Sequence, residues 1–426
     1  MLLTDNPVDG VEGDRFGFGP HARVLCDAIE MTRDLPLSVA VYGSWGTGKS
    51  SFMNICRSLF QERGIPVVSF NPWKYDQREE IWHALIQTIL DEIARKIGED
   101  PDAERRSRLQ AARDKAAGLG RTATWLMTRK AVVPLSGGLV STADMDALKQ
   151  TWDARDPLEY RHVNQFEYDF ADVVDQFTEG GRLVILIDDL DRCTPEAATT
   201  VLDSLKLFLG QASCVFVLAM DQQVMTDAVA QRFNGDQEVG RKYLEKLIQF
   251  PYHLPRVTFE SMFGHLRDEV FGLGNDQALW ELIRTAYGQN PRRVRRFINA
   301  FNLTVRSLEM HTTPSRARML HAAILLTIRL QHPAFYAMVS RSPEVWVRME
   351  EASDGDRSRL RRDEMDLADQ DLDLMPLLYA TSSRRPGMKF PPPPGPAEID
   401  TLTEVLRVTA GAPATGEDTN EIEAVI

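Results

Sequence analysis

Ser38-Val-Ala-Val-Tyr42 runs directly into Gly43-Ser44-Trp45-Gly46-Thr47-Gly48-Lys49-Ser50, and a helical pattern continues from Lys49 to about Gln61. The apolar run ending at glycine reads as a buried strand, and the octet after it has the spacing GxxxxGK[ST]. Glycines at these positions let the backbone wrap an anion with its N–H groups turned inward. The following helix adds the partial positive charge of its N-terminus. Lys49 then supplies a compact charge for the β- and γ-phosphates, and the Ser50 hydroxyl is suited to ligating Mg²⁺. Ser51, the next residue, is counted with Gly43–Ser50 as nucleotide-binding. A Gly-rich turn that merely joins strand to helix is the plainer alternative.

A second stretch, Leu183-Val-Ile-Leu-Ile-Asp188-Asp189-Leu190-Asp191-Arg192, supplies what a phosphate loop alone lacks. Five apolar residues make a buried strand, and open α/β sheets bind ligands at the carboxyl ends of their strands. Asp188 is therefore expected beside the phosphate loop as a Mg²⁺ ligand, acting through water. Asp189 is expected to orient or deprotonate the attacking water. Asp191 and Arg192 are read as an ion pair shaping the loop that follows. No NKxD-like motif follows a strand, so ATP is favoured over GTP.

Outward from these two stretches the chain alternates. A helix is expected at 22–33, a second strand at 66–70 and a helix from about 79 to 97. A helix at 195–209, a strand at 214–219 and an apolar run at 247–252 follow the second motif. Strand–helix alternation implies a parallel sheet covered on both faces. Residues 98–150 break the rhythm and read as an insertion between an N-terminal half, 1–97, and a C-terminal half, 151–255. Residues 256–345 read as a helical subdomain, and 346–426 as a further region. PPPPGP at 391–396 cannot continue a helix, and residues 397–426 hold seven acids and one arginine, which suggests a flexible acidic tail.

The formal net charge of −13 disfavours bulk binding to nucleic acid, which depends on neutralising phosphates with Lys and Arg. Cys26, Cys56, Cys193 and Cys214 form no CxxC pair and read as reduced, mostly buried thiols. The first residues carry acids and glycines where a signal peptide needs a basic start and an apolar run. The uncharged stretch Ala131 to Ala143 contains Pro134 and falls short of the ~20 apolar residues of a membrane span. A cytoplasmic protein without a transmembrane segment is the expectation.

Seven blocks in order resemble the KAP family of P-loop NTPases, in the additional-strand division. They are DNPVDGVEGDRFGFGPHA, VYGSWGTGKSSF, FNPWKY, ILIDDLDRC, VFVLAMDQQVM, YLEKLIQFPYHLP and NPRRVRRFIN, and together they span roughly residues 5–305. The resemblance implies a parallel sheet in 5-1-4-3-2 order, a C-terminal helical lid, and Mg²⁺-ATP as ligand. It also implies a phosphate-sensing position at Asp221, for which a helix N-cap is the alternative. Arg292 corresponds to a lid arginine that contacts the γ-phosphate, against the alternative of a solvated basic face shared with Arg293, Arg295 and Arg296. Trp73 and Tyr75 either line the site or belong to the core. Arg241 and Lys246 are weak candidates for fingers acting on a neighbour's nucleotide. Many members carry transmembrane helices where this chain has 98–150, and bacterial members are associated with defence against phage and plasmids. The expected activity is ATP hydrolysis driving a conformational or assembly switch in a protein partner or in self-assembly. A slow nucleotide-dependent binding module is the alternative, and a nucleic-acid motor is a third reading.

Overall fold

The computed structural model describes residues 2–75, 81–116, 119, 157–208, 213–310, 314–385, 387 and 390–409. The later part of the expected insertion, 120–150, and the end of the expected tail, 410–426, lie outside them. The chain divides into two compact units, Pro7–Pro255 and a second made of Met1–Asn6 with Arg256–Ile426.

In the first unit the order is α1 (Phe18–Met31), β1 (Leu37–Tyr42), α2 (Lys49–Glu62), β2 (Val67–Phe70), α3 (Ile81–Gly98), α4 (Ala103–Arg108), α5 (Pro157–Thr178) and β3 (Leu183–Ile187). It continues with α6 (Pro195–Phe208), β4 (Cys214–Met220), α7 (Gln222–Gln231), α8 (Gln237–Leu247) and β5 (Phe250–His253). The five strands form one parallel sheet ordered β2-β3-β4-β1-β5, which is the expected 5-1-4-3-2 order read from the opposite edge. The residues of β3 and β4 are all buried, as central strands sandwiched between helical layers must be. On edge strand β2, by contrast, Ser69 is exposed.

Register decides where the site forms. Tyr42 pairs with Met220, Ile187 with Leu218 and Phe70 with Ile187. All strands run the same way, so Gly43, Asn71, Asp188 and Asp221 leave the sheet along one edge. Four segments far apart in sequence are thereby gathered without any loop having to find another.

Two boundaries differ from the sequence expectation. The apolar run at 247–252 is divided: Leu247 ends α8 with its side chain buried, and the strand is Phe250–His253. The rhythm also does not stop at residue 98. Asp102 caps α4, residues 110–116 are helical, and Leu109, Ala112 and Ala116 are buried against the main core. Three apolar positions at helical spacing, two of them alanine, are a weak signal inside a run of charges.

The second unit is helical: α9 (Phe259–Leu266), α10 (Gln277–Tyr287), α11 (Pro291–Glu309), α12 (Arg316–Gln331), α13 (Pro333–Arg341), α14 (Glu344–Ala352), α15 (Arg362–Gln370), α16 (Leu374–Ala380) and α17 (Pro396–Thr409). The N-terminal residues belong to it. Leu3 N–H donates to Asn299 Oδ1 on α11 at 2.7 Å, and Asn299 Nδ2 donates back to Leu3 O at 2.8 Å. Residues 397–409, read from sequence as part of a flexible tail, are instead helix α17. Its Ile399, Leu402 and Leu406 keep i, i+3, i+7 spacing and are buried, and the proline run ends at the helix's first residue, where a missing N–H costs nothing. No helix among the described residues is long and apolar enough to cross a membrane.

Candidate nucleotide site

The loop between β1 and α2 needs glycine at two places. Gly46 and Gly48 have φ of 82° and 105°, values a side chain resists, and a Cβ on Gly48 would lie 2.7 Å from Phe18 Cε2. Thr47 Oγ1 ties the loop to itself by donating to Ser44 O at 2.7 Å. Gly48 offers no side-chain cap to α2, so the first-turn N–H groups that a cap would occupy remain available to an anion. Trp45 is about half exposed.

Lys49 lies against this loop rather than extending into water. Its ammonium donates to Gly43 O at 2.8 Å and to Ser44 O at 3.4 Å, and pairs with Asp191 Oδ2 at 2.8 Å. The expected Asp191–Arg192 pair is therefore replaced. Arg192 Nε pairs with Asp189 Oδ1 at 2.8 Å, while Asp191 is directed at the phosphate loop. The short 3-10 turn over Leu190–Arg192, entered through Asp189 in the left-handed region at φ 59°, ψ 28°, puts consecutive acids on different partners. Such a conformation is unfavourable for a non-glycine residue and tends to persist where geometry serves a site.

Asp188 sits directly after buried β3, with the Ser50 hydroxyl close enough to act on its carboxyl. Burial pushes its carboxyl above the usual aspartate range; the Ser50 hydroxyl and the Asp189 N–H, the latter 2.9 Å from Asp188 Oδ1, oppose this, and the neighbouring acids Asp189 and Asp191 add to it. Ser50 and Asp188 are thus a pair of hard oxygen donors brought together, a set that fits Mg²⁺ taking one or two protein oxygens besides phosphate and water.

Both oxygens of Asp189 are engaged. Asn71 Nδ2 donates to Oδ2 at 2.8 Å, and Arg192 holds Oδ1. Asn71, the first residue after β2, was not singled out from the sequence. Its signal was available: it is the polar residue at the carboxyl end of the strand next to β3. Trp73 and Tyr75 are not core residues, being 51% and 37% exposed; Trp73 underlies the Arg192 guanidinium at 5.2 Å, and Tyr75 stacks on Phe70 at 5.7 Å.

The remaining expected residues lie as follows. Asp221 ends β4 and caps α7, accepting from Gln223 N at 3.0 Å and Val224 N at 3.4 Å, while its own N–H donates to Asp191 Oδ2 at 3.1 Å. The Ser51 hydroxyl accepts from Val8 N at 3.3 Å. Arg292, in the first turn of α11 behind the Asn290 cap, is 3.8 Å from Asp5, a carboxylate it shares with Arg296 at 3.1 Å. Arg241 is exposed and bonds Glu238 and Glu245 on its own helix, and Lys246 is also exposed. All four cysteines are free thiols, three of them buried and Cys193 partly so.

Comparison with known proteins agrees with this geometry. The model of the KAP family P-loop domain matches residues 18–308. The phage T7 exclusion protein of Escherichia coli strain K12 is 23% identical over 290 residues, 63% of this chain and 37% of that protein. The kinase D-interacting substrate of 220 kDa, from rat and from human, is 27% identical over 89 residues, 20% of this chain and 5% of theirs. This chain thus spans well under half the length of these curated relatives. Among solved structures, the ORC2 protein of Aeropyrum pernix in ADPNP–ADP complexes aligns over 96% of this chain and 89% of that one, at 13% identity and a TM-score of 0.34.

Proposed function

This chain belongs to the KAP family of P-loop domains, and on that premise we propose that it binds Mg²⁺-ATP at Gly43–Ser51 and hydrolyses it as a conformational or assembly switch. The observation that carries the reading is the convergence of Lys49, Ser50 and Asp188 at one sheet edge, with the Ser50 hydroxyl beside Asp188 and Lys49 anchored on the loop carbonyls. Here Lys49 neutralises phosphate, the α2 N-terminus and glycine loop orient it, and Ser50 with Asp188 holds the cation. Mg²⁺, when bound, withdraws charge from the phosphate oxygens and favours departure of the diphosphate. Asp189 accepts the proton of the attacking water, held in place by Asn71.

Asp221 is proposed as a phosphate-sensing residue in addition to its capping role, and Arg292 as a phosphate ligand that would have to exchange Asp5 for the nucleotide. Slow turnover is favoured by one specific observation: Arg192 and Asn71 each hold one Asp189 oxygen, so the base meets water only through the acceptor sites these two leave. Cycling of this kind suits a switch better than a high-throughput enzyme. A role in phage exclusion is proposed from the relative of that name.

The test is a titration with ATP and with GTP, in Mg²⁺. The wild-type chain should prefer ATP, and Lys49→Ala should lose most of the affinity while remaining folded, at a lower melting temperature because the nearly buried Asp191 loses its counter-ion. Equal ATP affinity in the two proteins would sink the assignment.

A further inference from the structure

A single oxygen joins three parts of the site. Asp191 Oδ2 lies 2.8 Å from the Lys49 ammonium and accepts the Asp221 N–H at 3.1 Å, and Asp221 in turn caps the start of α7. The Lys49 and Asp191 side chains are only 9% and 8% exposed, so solvent does little to screen this pair. With Gly43 O, Ser44 O and Asp191 around it, the ammonium has used its three protons before any phosphate arrives.

A phosphate bound by Lys49 must therefore displace a carboxylate that is nearly buried. Asp188 and Asp189 are close enough to bear on one another, so a nucleotide also adds negative charge to an acidic setting. The displaced carboxylate would keep only part of its compensation, which favours its movement away from the incoming anion. Asp191 also lines a cleft of about 170 Å³ with Cys193, Val224, Met225 and Asp227, bounded by the turn after β3, α6 and α7, and this is space that its side chain borders.

We propose that Asp191 is an internal counter-ion that competes with phosphate for Lys49 in the empty site and, when displaced, relays phosphate occupancy through the Asp221 N–H to the start of α7. This rests on the nucleotide-site reading above and adds a positioning and signalling residue to it. The bond to Asp221 makes the relay directional, because a shift of Oδ2 either draws the Asp221 backbone with it or breaks that bond. Each changes the cap of α7.

The experiment uses the full chain and its Asp191→Asn variant, titrated with ADPNP in Mg²⁺ and again in EDTA, with hydrogen exchange followed over residues 219–226. Asparagine keeps an acceptor for Asp221 N–H and removes the charge that holds Lys49. The expected result is ADPNP binding tighter by about three- to tenfold in both buffers, the scale on which losing a competing ion pair acts. Wild-type exchange over 219–226 should change on binding ADPNP, and this change should be much smaller in Asp191→Asn. Weaker binding confined to the Mg²⁺ buffer would make Asp191 a cation ligand and overturn the proposal, as would unchanged affinity in both. If the variant fails to fold, the wild-type measurement decides alone, since exchange over 219–226 that ignores bound ADPNP rules out the relay. Lys49→Ala separates the two levels of inference. Wild-type binding no better than that variant refutes the nucleotide site itself, whereas normal wild-type binding with no gain in Asp191→Asn refutes only the counter-ion.

Discussion

Asp189→Asn should separate chemistry from stability. The variant loses the charge paired with Arg192, but that pair is partly exposed, at 15% for Asp189 and 32% for Arg192, so its net worth is about 0.5–1 kcal/mol. Asparagine tolerates the left-handed backbone at φ 59° and keeps an acceptor for Asn71, so no strain is added. The expected fall in melting temperature is therefore small, about 2–4 °C. Loss of a positioned base should slow hydrolysis by about 10²–10⁴-fold, equivalent to about 2.7–5.5 kcal/mol. The kinetic loss thus exceeds the structural one several-fold, and ATP should remain bound. Single-turnover phosphate release, ATP titration and a thermal melt on the same preparation measure all three quantities. Phosphate release within about threefold of wild type would remove Asp189 from the role of base. Asp189→Ala is a useful contrast: it should melt lower than Asp189→Asn, because alanine adopts the left-handed region at a cost of about 1–2 kcal/mol.

Asp188→Asn should weaken the Mg²⁺ dependence of nucleotide binding yet raise the melting temperature of the nucleotide-free protein at neutral pH. Burial holds the Asp188 pKa above its unfolded value, so its favourable contribution is present in acid and lost as pH rises through the folded pKa; the stability gain of the variant should therefore grow with pH, and a gain that shrank instead would contradict the assignment. By the same shift, wild-type Mg²⁺ affinity should begin to fall at higher pH on acidification than an ordinary aspartate would give, as a titration of Mg²⁺ affinity against pH would register. Asn71→Ala should reduce turnover by about tenfold with little change in ATP affinity, the pattern of a residue that orients the base, checked by separating kcat from KM. Arg292→Ala should bind ADP nearly as wild type does and ATP about tenfold more weakly, the loss expected for one charge-assisted contact to the γ-phosphate; equal losses for both nucleotides would remove Arg292 from that contact.

The sheet and its helices were legible because their signals are local. An apolar run ending in Gly43 and another ending in Asp188 locate two strand ends, and parallel register then brings those ends together. What the sequence concealed was partner choice. Asp191 and Arg192 are neighbours in sequence, but the left-handed turn at Asp189 sends Asp191 to Lys49 and folds Arg192 back on Asp189. A single backbone conformation decided that exchange, and nothing in the residue types LDR encodes it. Asn71 stands in sequence before two aromatic residues that give the stronger signal, yet its amide bonds Asp189 directly, whereas Trp73 meets the site only through the Arg192 guanidinium. Helix α17 was hidden by composition: a proline run and many acids resemble a solvated tail, while the four aliphatic residues that bury it are spread through the helix.

Release of phosphate from Mg²⁺-ATP by the purified full chain, measured beside Lys49→Ala at saturating nucleotide, tests the central claim most directly. Release by the wild-type chain should be slow, measurable and dependent on Mg²⁺, and release by the variant should not rise above background. Equal release from both, or none from a wild-type chain shown to be folded and saturated with ATP, would contradict it.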